Sequence, residues 1–194
     1  MKWCILLTSC VLRNFSLNKF NFYRKAISAW LTKTTLPIFI VESSGYQFSE
    51  FSGTRLKVYT FNLSENLASS SQYEARSILA ALEYFKADMK IYTHILKVTA
   101  RYYVDNMRTI LYEGPPRQIY VQHLQNIPLK WNNSEIFGLR KCLFRKLLNP
   151  IVCLGYMEQA IYNFKKTHTH RVLPPMKNYV GARRGGDNIL VDPL

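Results

Sequence analysis

The sequence has none of the short motifs that mark the common hydrolases and nucleoside triphosphatases. It contains no GxxxxGK[ST] loop, no HExxH, no GxSxG and no CxxC. These absences argue against a P-loop NTPase, a zinc protease and a serine hydrolase. The four cysteines and four histidines do not have zinc-finger spacing. We therefore expect each cysteine to be a buried, reduced thiol.

Acidic residues are also scarce. The chain has 12 Asp and Glu against 26 Lys and Arg, which gives a formal net charge of +14. A surface this basic attracts phosphates, whether in nucleic acid, anionic lipid or nucleotide. The positive residues are spread along the chain and do not form a terminal block, and this weakens the case for nucleic acid.

No apolar run is long enough to cross a membrane. Residues 3–12 (WCILLTSCVL) are similar to a short signal peptide, but no small-x-small cleavage site follows them and a single Lys precedes them. We expect a first core strand there, and a location in the cytoplasm or at a membrane surface. The length of 194 residues predicts one domain, 1–194, with a loop segment at 173–194.

Strand-like and helix-like hydrophobic patterns alternate along the chain. The patterns predict strands at 3–12, 37–41, 56–61, 93–98 and 118–122, and helices at 20–33, 71–85, 135–150 and 157–166. Ser71 and Glu74 match a capping box for the second helix, and Ser134 matches an N-cap for the third. This order predicts an α/β fold with a mostly parallel, Rossmann-like sheet flanked by helices.

A polar group at the end of the strand at 93–98 is the first candidate site. Lys97 interrupts an apolar strand, where a charge is costly unless it is paired or functional. Thr99, Arg101 and Asp105 follow at the carboxyl end, where open α/β sheets bind ligands. These residue types suit a phosphorylated ligand with a metal. The alternative is a Lys97 at a sheet edge, with its ammonium reaching solvent.

Three carboxylates and a pair of arginines are further candidates. Glu42 follows a strand at a point where an acid can bond a ribose or base, although solvated strand-end acids are common. Glu135 and Glu158 open helices, so each is either a general base or contact for an acceptor, or a residue that stabilises the helix dipole. Arg183 and Arg184 precede two glycines and can close over a diphosphate or form a surface turn.

Several of these segments together resemble GT-A-like nucleotide-diphospho-sugar glycosyltransferases. The resemblance is to a group with an ENSGY-like turn, a GEA-type helix start, a K-[IV]-TGRY strand and a late GGxN-type loop. The corresponding segments here are residues 42–46 (ESSGY), 73–75 (YEA), 97–102 (KVTARY) and 185–188 (GGDN), and they occur in the same order. The segment at 134–138 (SEIFG) is also similar to this group.

The resemblance implies transfer of a sugar from a nucleotide-diphosphate donor to a saccharide or glycoconjugate acceptor. Lys97, Thr99, Arg101, Arg183 and Arg184 would bind the nucleotide and its phosphates, and Glu42 the nucleoside. Asp105 would hold Mg²⁺ or Mn²⁺, and Glu158 or Glu135 would deprotonate the acceptor.

The sequence departs from the group at three points. Ala100 replaces a Gly, Ser70 and Ser71 replace a Lys-Gly pair, and no DxD motif is present, so that Asp105 with Asn106 is the nearest substitute. A divergent or inactive member is therefore an open alternative. So is a basic, non-catalytic protein that binds nucleic acid or anionic glycans.

Overall fold

The core of the protein is a seven-stranded sheet. The computed structural model describes residues 1–105, 107–112, 115–122 and 134–173, with the backbone at 182–183 and 190–191. The sheet consists of β1 (Trp3–Ser9), β2 (Ile38–Glu42), β3 (Leu56–Thr60), β4 (His94–Thr99), β5 (Ile119–Gln122), β6 (Ile136–Arg140) and β7 (His170–Leu173). Two short antiparallel strands, β8 (Ala182–Arg183) and β9 (Leu190–Val191), form a separate ribbon.

The order of the strands is β3-β2-β1-β4-β6-β5-β7. Strands β3, β2, β1 and β4 are parallel neighbours, β6 is antiparallel to β4 and β5, and β5 is parallel to β7. The predicted α/β fold with a mostly parallel sheet is therefore confirmed. Every residue of β1 and β2 is buried, as expected for strands covered by helices on both faces.

Helices cover the two faces of the sheet. They are α1 (Leu17–Lys33), α2 (Ser70–Tyr84), α3 (Met107–Tyr112), α4 (Phe144–Leu154) and α5 (Met157–Thr167), and a 3₁₀ turn (Lys141–Leu143) precedes α4. On one face Ile27 and Trp30 of α1 share a core with Ile5 and Leu7. On the other face α2, α4 and α5 pack over the alternate side chains of the same strands, which include Leu6.

The helix predicted from Glu135 is wrong in its first half. Residues 136–140 form β6, which pairs with β4 and β5, and the α-helix begins only at Phe144. Ser134 therefore precedes a strand and caps no helix. The run IFGL is buried throughout, and a short apolar run of this kind fits a buried strand as well as a buried helix. Pairing with two neighbouring strands decides the outcome here.

The capping box predicted for α2 is displaced by two residues. The side chain of Ser69 accepts a hydrogen bond from the backbone N–H of Gln72, and the Gln72 side chain bonds back to the N-cap. The sequence SSSQYE contains two overlapping boxes, Ser69 with Gln72 and Ser71 with Glu74, and the structure uses the first. Glu74 is consequently free to point toward the sheet.

Among the described residues, none of the helices is both apolar and long enough to cross a bilayer.

A buried histidine gives the fold a predictable pH dependence. His94 packs against Trp3 and bonds the backbone oxygen of Arg117, and burial lowers its pKa. The unfolded chain takes up a proton as the pH falls through about 6.5, whereas the folded chain resists protonation. The stabilising contribution of neutral His94 is thus complete above pH 6.5 and is lost below it, by up to about 1.4 kcal/mol per pH unit.

We expect His94→Gln to lose less stability than the unsubstituted protein when the pH is lowered from about 7.5 to about 5.5. Urea unfolding at the two pH values measures the difference. His170 is exposed, and His170→Gln is the matched control that should keep the original pH dependence. Equal losses in the protein and the His94 variant would contradict the assignment.

Candidate functional site

An open cleft of about 370 Å³ lies at the carboxyl end of the parallel strands. It is lined by Thr8, Ser9, Cys10, Arg13, Asn14, Lys19, Tyr23, Ser43, Ser70, Tyr73, Glu74, Ser77 and Thr99. Strand β1 lies between β2 and β4 in the sheet. The chain runs from β1 through α1 to β2 on one side of β1, and after β3 and α2 it enters β4 on the other side. Ligands of open α/β sheets bind at such a switch point, outside the carboxyl ends of the strands.

Two cations from the segment after β1 line this cleft. The Arg13 guanidinium donates to the carbonyl oxygen of Leu63 (3.2 Å) and lies 3.8 Å from the centre of the Tyr73 ring. Lys19 donates to the carbonyl oxygens of Cys10 (2.7 Å) and Arg13 (2.9 Å). Both side chains are held in place by backbone acceptors, which suits the binding of an anion.

The pKa of Lys19 is lowered. The main cause is burial, while the nearby charges act in both directions: Arg101 and Arg13 lower the pKa, and Cys10 and Glu42 raise it. A bound anion would favour the charged form of Lys19 and relieve this repulsion between cations. Arg13 and Lys19 are not among the residues predicted from the sequence, although both follow the predicted β1 closely, in the turn and in the first turn of the next helix.

Lys97 is fully buried and its ammonium does not line the cleft. It donates to the Glu74 carboxylate (2.6 Å), the Ser134 carbonyl oxygen (2.6 Å) and the Thr99 hydroxyl (3.2 Å). Three acceptors match the three N–H bonds of an ammonium group. A direct contact between Lys97 and a phosphate stays a prediction, and the observed geometry gives it no support. What Lys97 does in this structure is join α2, β4 and the start of β6.

Two carboxylates belong to the network around Lys97. Glu74 bonds Lys97 directly, and Glu158 bonds Ser134. Glu74 lines the cleft and also accepts a hydrogen bond from the Thr8 hydroxyl (2.8 Å). The Ser134 hydroxyl donates to one oxygen of Glu158 (2.8 Å), and the Ser71 hydroxyl lies 3.5 Å from the other. Glu158, in the first turn of α5, is half-buried, and its bond to Ser134 places it beside the Lys97 network. Its role as a general base stays a prediction. The sequence pattern predicts Glu74 only as part of the capping box of α2.

Arg101 and Glu135 form a second pair behind the cleft. The Arg101 guanidinium lies 3.5 Å from the carboxylate of Glu135, which also accepts a hydrogen bond from the Tyr102 hydroxyl (2.7 Å). Burial acts to lower the pKa of Arg101, but Tyr102, Glu135 and Tyr23 raise it by more, so the net shift is upward. The positive charge of Arg101 acts to lower the pKa of Lys19 and that of Tyr23, and both of these residues line the cleft.

Glu42 is completely buried beneath the cleft. Its carboxylate accepts hydrogen bonds from the backbone N–H of Val11 (2.7 Å), Ser44 (2.9 Å) and Tyr46 (2.8 Å), and from the Ser44 hydroxyl (2.5 Å). These bonds tie the loop after β1 to the loop after β2 and account for the buried charge. A contact with a nucleoside stays a prediction for this residue.

Asp105 lies apart from the other predicted site residues. Its carboxylate is 3.7 Å from the ammonium of Lys33, the last residue of α1, whereas Lys19 is near the first. Tyr103 also bonds Asp105, and burial together with this bond raises the pKa of Tyr103 to about 12. Within the described ranges, no group of three or more His, Cys, Asp or Glu could hold a metal ion. Metal binding by Asp105 stays a prediction.

The predicted arginines of the tail are only partly covered by the structure. The backbone of Arg183 belongs to β8. Its side chain, and Arg184 as a whole, lie outside the described residues. Of the other predicted residues, the structure brings Lys97, Thr99, Glu135, Arg101 and Glu158 to the carboxyl end of β4, and of these Thr99 lines the cleft.

Comparison with solved structures identifies the architecture. A glycosyltransferase involved in the glycosylation of the major capsid of PBCV-1 superposes with a TM-score of 0.57 over 89% of this chain and 82% of its own, at 11% identity. A proposed nucleotide-diphospho-sugar transferase from Desulfovibrio desulfuricans G20 gives 0.58 over 90% and 80%, at 13% identity. The fold is GT-A-like. The glycosyltransferase GlyE of Streptococcus pneumoniae TIGR4 gives 0.53, and the chain covers 45% of its length.

No protein-family model and no curated protein sequence matches the chain. The superpositions establish the common fold, and identities of 11–13% leave the substrate open.

Proposed function

We propose that this protein is a glycosyltransferase that moves a sugar from a nucleotide-diphosphate donor to a saccharide or glycoconjugate acceptor. The observation that carries the proposal is the cation-lined cleft at the switch point of a GT-A-like sheet. The open cleft has two cations on one side and the amino end of α2 on the other, and both features stabilise a bound diphosphate.

The donor diphosphate is proposed to lie between the loop after β1 and the start of α2. Arg13 and Lys19 supply positive charge from one side. Ser70 lines the other side at the amino end of α2, where backbone N–H groups favour phosphate. Charges already fixed in position stabilise the negative charge that develops on the leaving diphosphate. The Tyr73 ring beside Arg13 offers a stacking surface at the same place.

Catalysis by a carboxylate is proposed for the acids around Lys97. Glu158 is half-buried and accepts from two hydroxyl groups, while Glu135 is buried against Tyr102. Either would act as the general base toward an acceptor hydroxyl in an inverting reaction. Glu74 is the carboxylate that lines the cleft itself. Its bond to Lys97 fixes the orientation of the carboxylate.

The described carboxylates do not fit a metal site well. Glu74 is bound to Lys97, and Asp105 is paired with Lys33 near the far end of α1. We therefore assign no step to a metal, and dependence on Mg²⁺ or Mn²⁺ remains a separate prediction for the binding experiment.

A thermal-shift screen tests the donor assignment. UDP, GDP, CDP and ADP, each with and without Mn²⁺, are compared with the corresponding nucleosides. A ligand at about 100 times its Kd stabilises the folded state by about 2.7 kcal/mol, or about 5–10 °C in Tm for a chain of this size. We expect such a shift for at least one diphosphate and none for its nucleoside.

The same thermal-shift measurement distinguishes a transferase from a non-catalytic basic protein. If short nucleic acid or an anionic polysaccharide stabilises the protein, with an effect that falls steeply as salt is added, and no diphosphate does so, the transferase proposal is wrong.

A further inference from the structure

A group of exposed apolar side chains lies beside the cleft, in the loop after β1 and at the first residue of α1. Leu12, Phe15 and Leu17 have exposed fractions of 49%, 56% and 66%. They fall within six consecutive residues, 12–17, which we call the apolar loop. Large exposed apolar side chains this close together commonly mark an interaction surface, whereas isolated ones need no explanation.

Positive charge surrounds the apolar loop. The first 41 residues of the chain contain six Lys and Arg and no Asp or Glu. Arg13, Lys19, Arg24 and Lys25 lie within the loop and the first turns of α1. The first turn of α1 has no acidic residue to offset the positive end of the helix dipole. Arg24 has a weak surface contact with Glu50 at 3.8 Å, which leaves the region strongly cationic.

The position of the apolar loop relates it to the cleft. Arg13 and Asn14 belong to the loop and line the cleft, while Leu12, Phe15 and Leu17 of the same loop are exposed to solvent. The loop follows the carboxyl end of β1, so the apolar side chains and the mouth of the cleft lie at the same edge of the sheet.

We propose that the apolar loop and the first turns of α1 dock on the surface of an anionic lipid bilayer. Leu12, Phe15 and Leu17 enter the boundary between head groups and acyl chains. Arg24 and Lys25, which are exposed and do not line the cleft, contact the anionic head groups. Both features strengthen binding to a membrane surface, because apolar insertion and attraction to anionic lipid add together. A nucleic acid would contact the cations, but the exposed apolar side chains would add little to its binding.

Docking in this orientation places the cleft at the membrane interface. Under the transferase proposal, the acceptor is then an amphiphilic or lipid-linked glycoconjugate whose polar end reaches the cleft from the bilayer. The membrane proposal itself stands on the loop and its charges, so it is tested separately from any transfer activity.

Vesicle sedimentation measures the docking. Vesicles of phosphatidylcholine alone are compared with vesicles that contain about 30% phosphatidylglycerol, as a source of the anionic surface potential. We expect the protein to sediment with the anionic vesicles and to remain in solution with the neutral ones. Phe15→Ser combined with Leu17→Ser should reduce the partition coefficient at least about tenfold, because it removes two inserted apolar groups.

Ile91→Ser is the matched control. Ile91 is 59% exposed, but it lies just before β4, at the amino end of the strands and thus opposite the cleft. This variant should bind vesicles like the unsubstituted protein, and thermal melting confirms that all variants are folded. Equal binding by the loop variant and the Ile91 variant overturns the proposal. So does equal binding to neutral and anionic vesicles, or no binding to either.

If the partner is a soluble anionic polysaccharide, the binding measurements give a different result. Binding to a soluble anionic polysaccharide that is as strong as binding to vesicles, and that is unchanged in the Phe15 and Leu17 variant, shows a purely electrostatic surface and rejects the insertion.

Discussion

Replacing Lys97 by Met is expected to lower the free energy of unfolding by about 3–5 kcal/mol, because it breaks a buried ion pair and leaves its partners unpaired. The side chain of Lys97 is fully buried, and its ammonium lies 2.6 Å from both the Glu74 carboxylate and the Ser134 carbonyl oxygen. Met has a similar length and no charge, so the change removes these bonds with little change in volume. Urea unfolding measures the loss.

An exposed pair on the same protein supplies the control. Lys57 is bonded to Asp88, with a half-exposed side chain. We expect Lys57→Met to cost less than about 1 kcal/mol, since surface ion pairs contribute little. If Lys97→Met costs no more than Lys57→Met, the network described around Lys97 does not hold the fold together.

A double variant tests whether the cost comes from the orphaned carboxylate. Lys97→Met with Glu74→Leu removes both charges of the pair. We expect it to recover part of the stability lost in Lys97→Met, because the desolvation penalty of an unpaired Glu74 disappears. The recovery is limited by Glu74 being partly exposed and by its bond to Thr8. No recovery would point to Ser134 as the partner that matters.

Replacing Arg13 and Lys19 together by Ala is expected to lower kcat/KM for nucleotide-sugar transfer by about 100-fold or more. Each removes one charge-assisted contact to the donor, worth about 1.5–3 kcal/mol, and 1.4 kcal/mol corresponds to a tenfold change. The same variant should lose the thermal stabilisation by nucleoside diphosphate. Steady-state transfer kinetics and thermal shift are the two measurements.

The control for this variant is another loss of two cations at the surface. Arg76 and Lys86 form exposed pairs with Glu65 and Glu83, and neither lines the cleft. Arg76→Ala with Lys86→Ala lowers the net charge equally and should change kcat/KM less than threefold. If both double variants retain full activity, the diphosphate does not bind between Arg13 and Lys19. If both lose activity equally, the effect comes from net charge alone.

These two predictions separate roles that the sequence pattern had combined. Lys97 and Arg101 were expected to face a diphosphate directly. In the structure Lys97 holds a buried network and Arg101 lies behind the cleft, paired with Glu135. Among the described residues, the cations that line the cleft are Arg13 and Lys19. The transferase proposal consequently rests on these two residues and on the fold.

The sequence alone determined the broad architecture. Apolar runs at β1, β2 and β4, alternating with helical patterns at α1, α2 and α5, are local properties, because the period of the side chains follows from backbone geometry. They were sufficient to predict a mostly parallel sheet, and with it the edge at which open α/β sheets bind their ligands. The motif resemblance also indicated the GT-A-like fold that the structure neighbours show.

Tertiary structure decided which side chains reach that edge. Whether residues 136–140 became strand or helix depended on free backbone groups of β4 and β5, and whether Ser69 or Ser71 capped α2 determined where Glu74 points. The burial of Lys97 and the separation of Asp105 depend on residues distant in sequence. A short pattern records residue type and spacing, while burial and charge pairing are set by parts of the chain that meet only on folding.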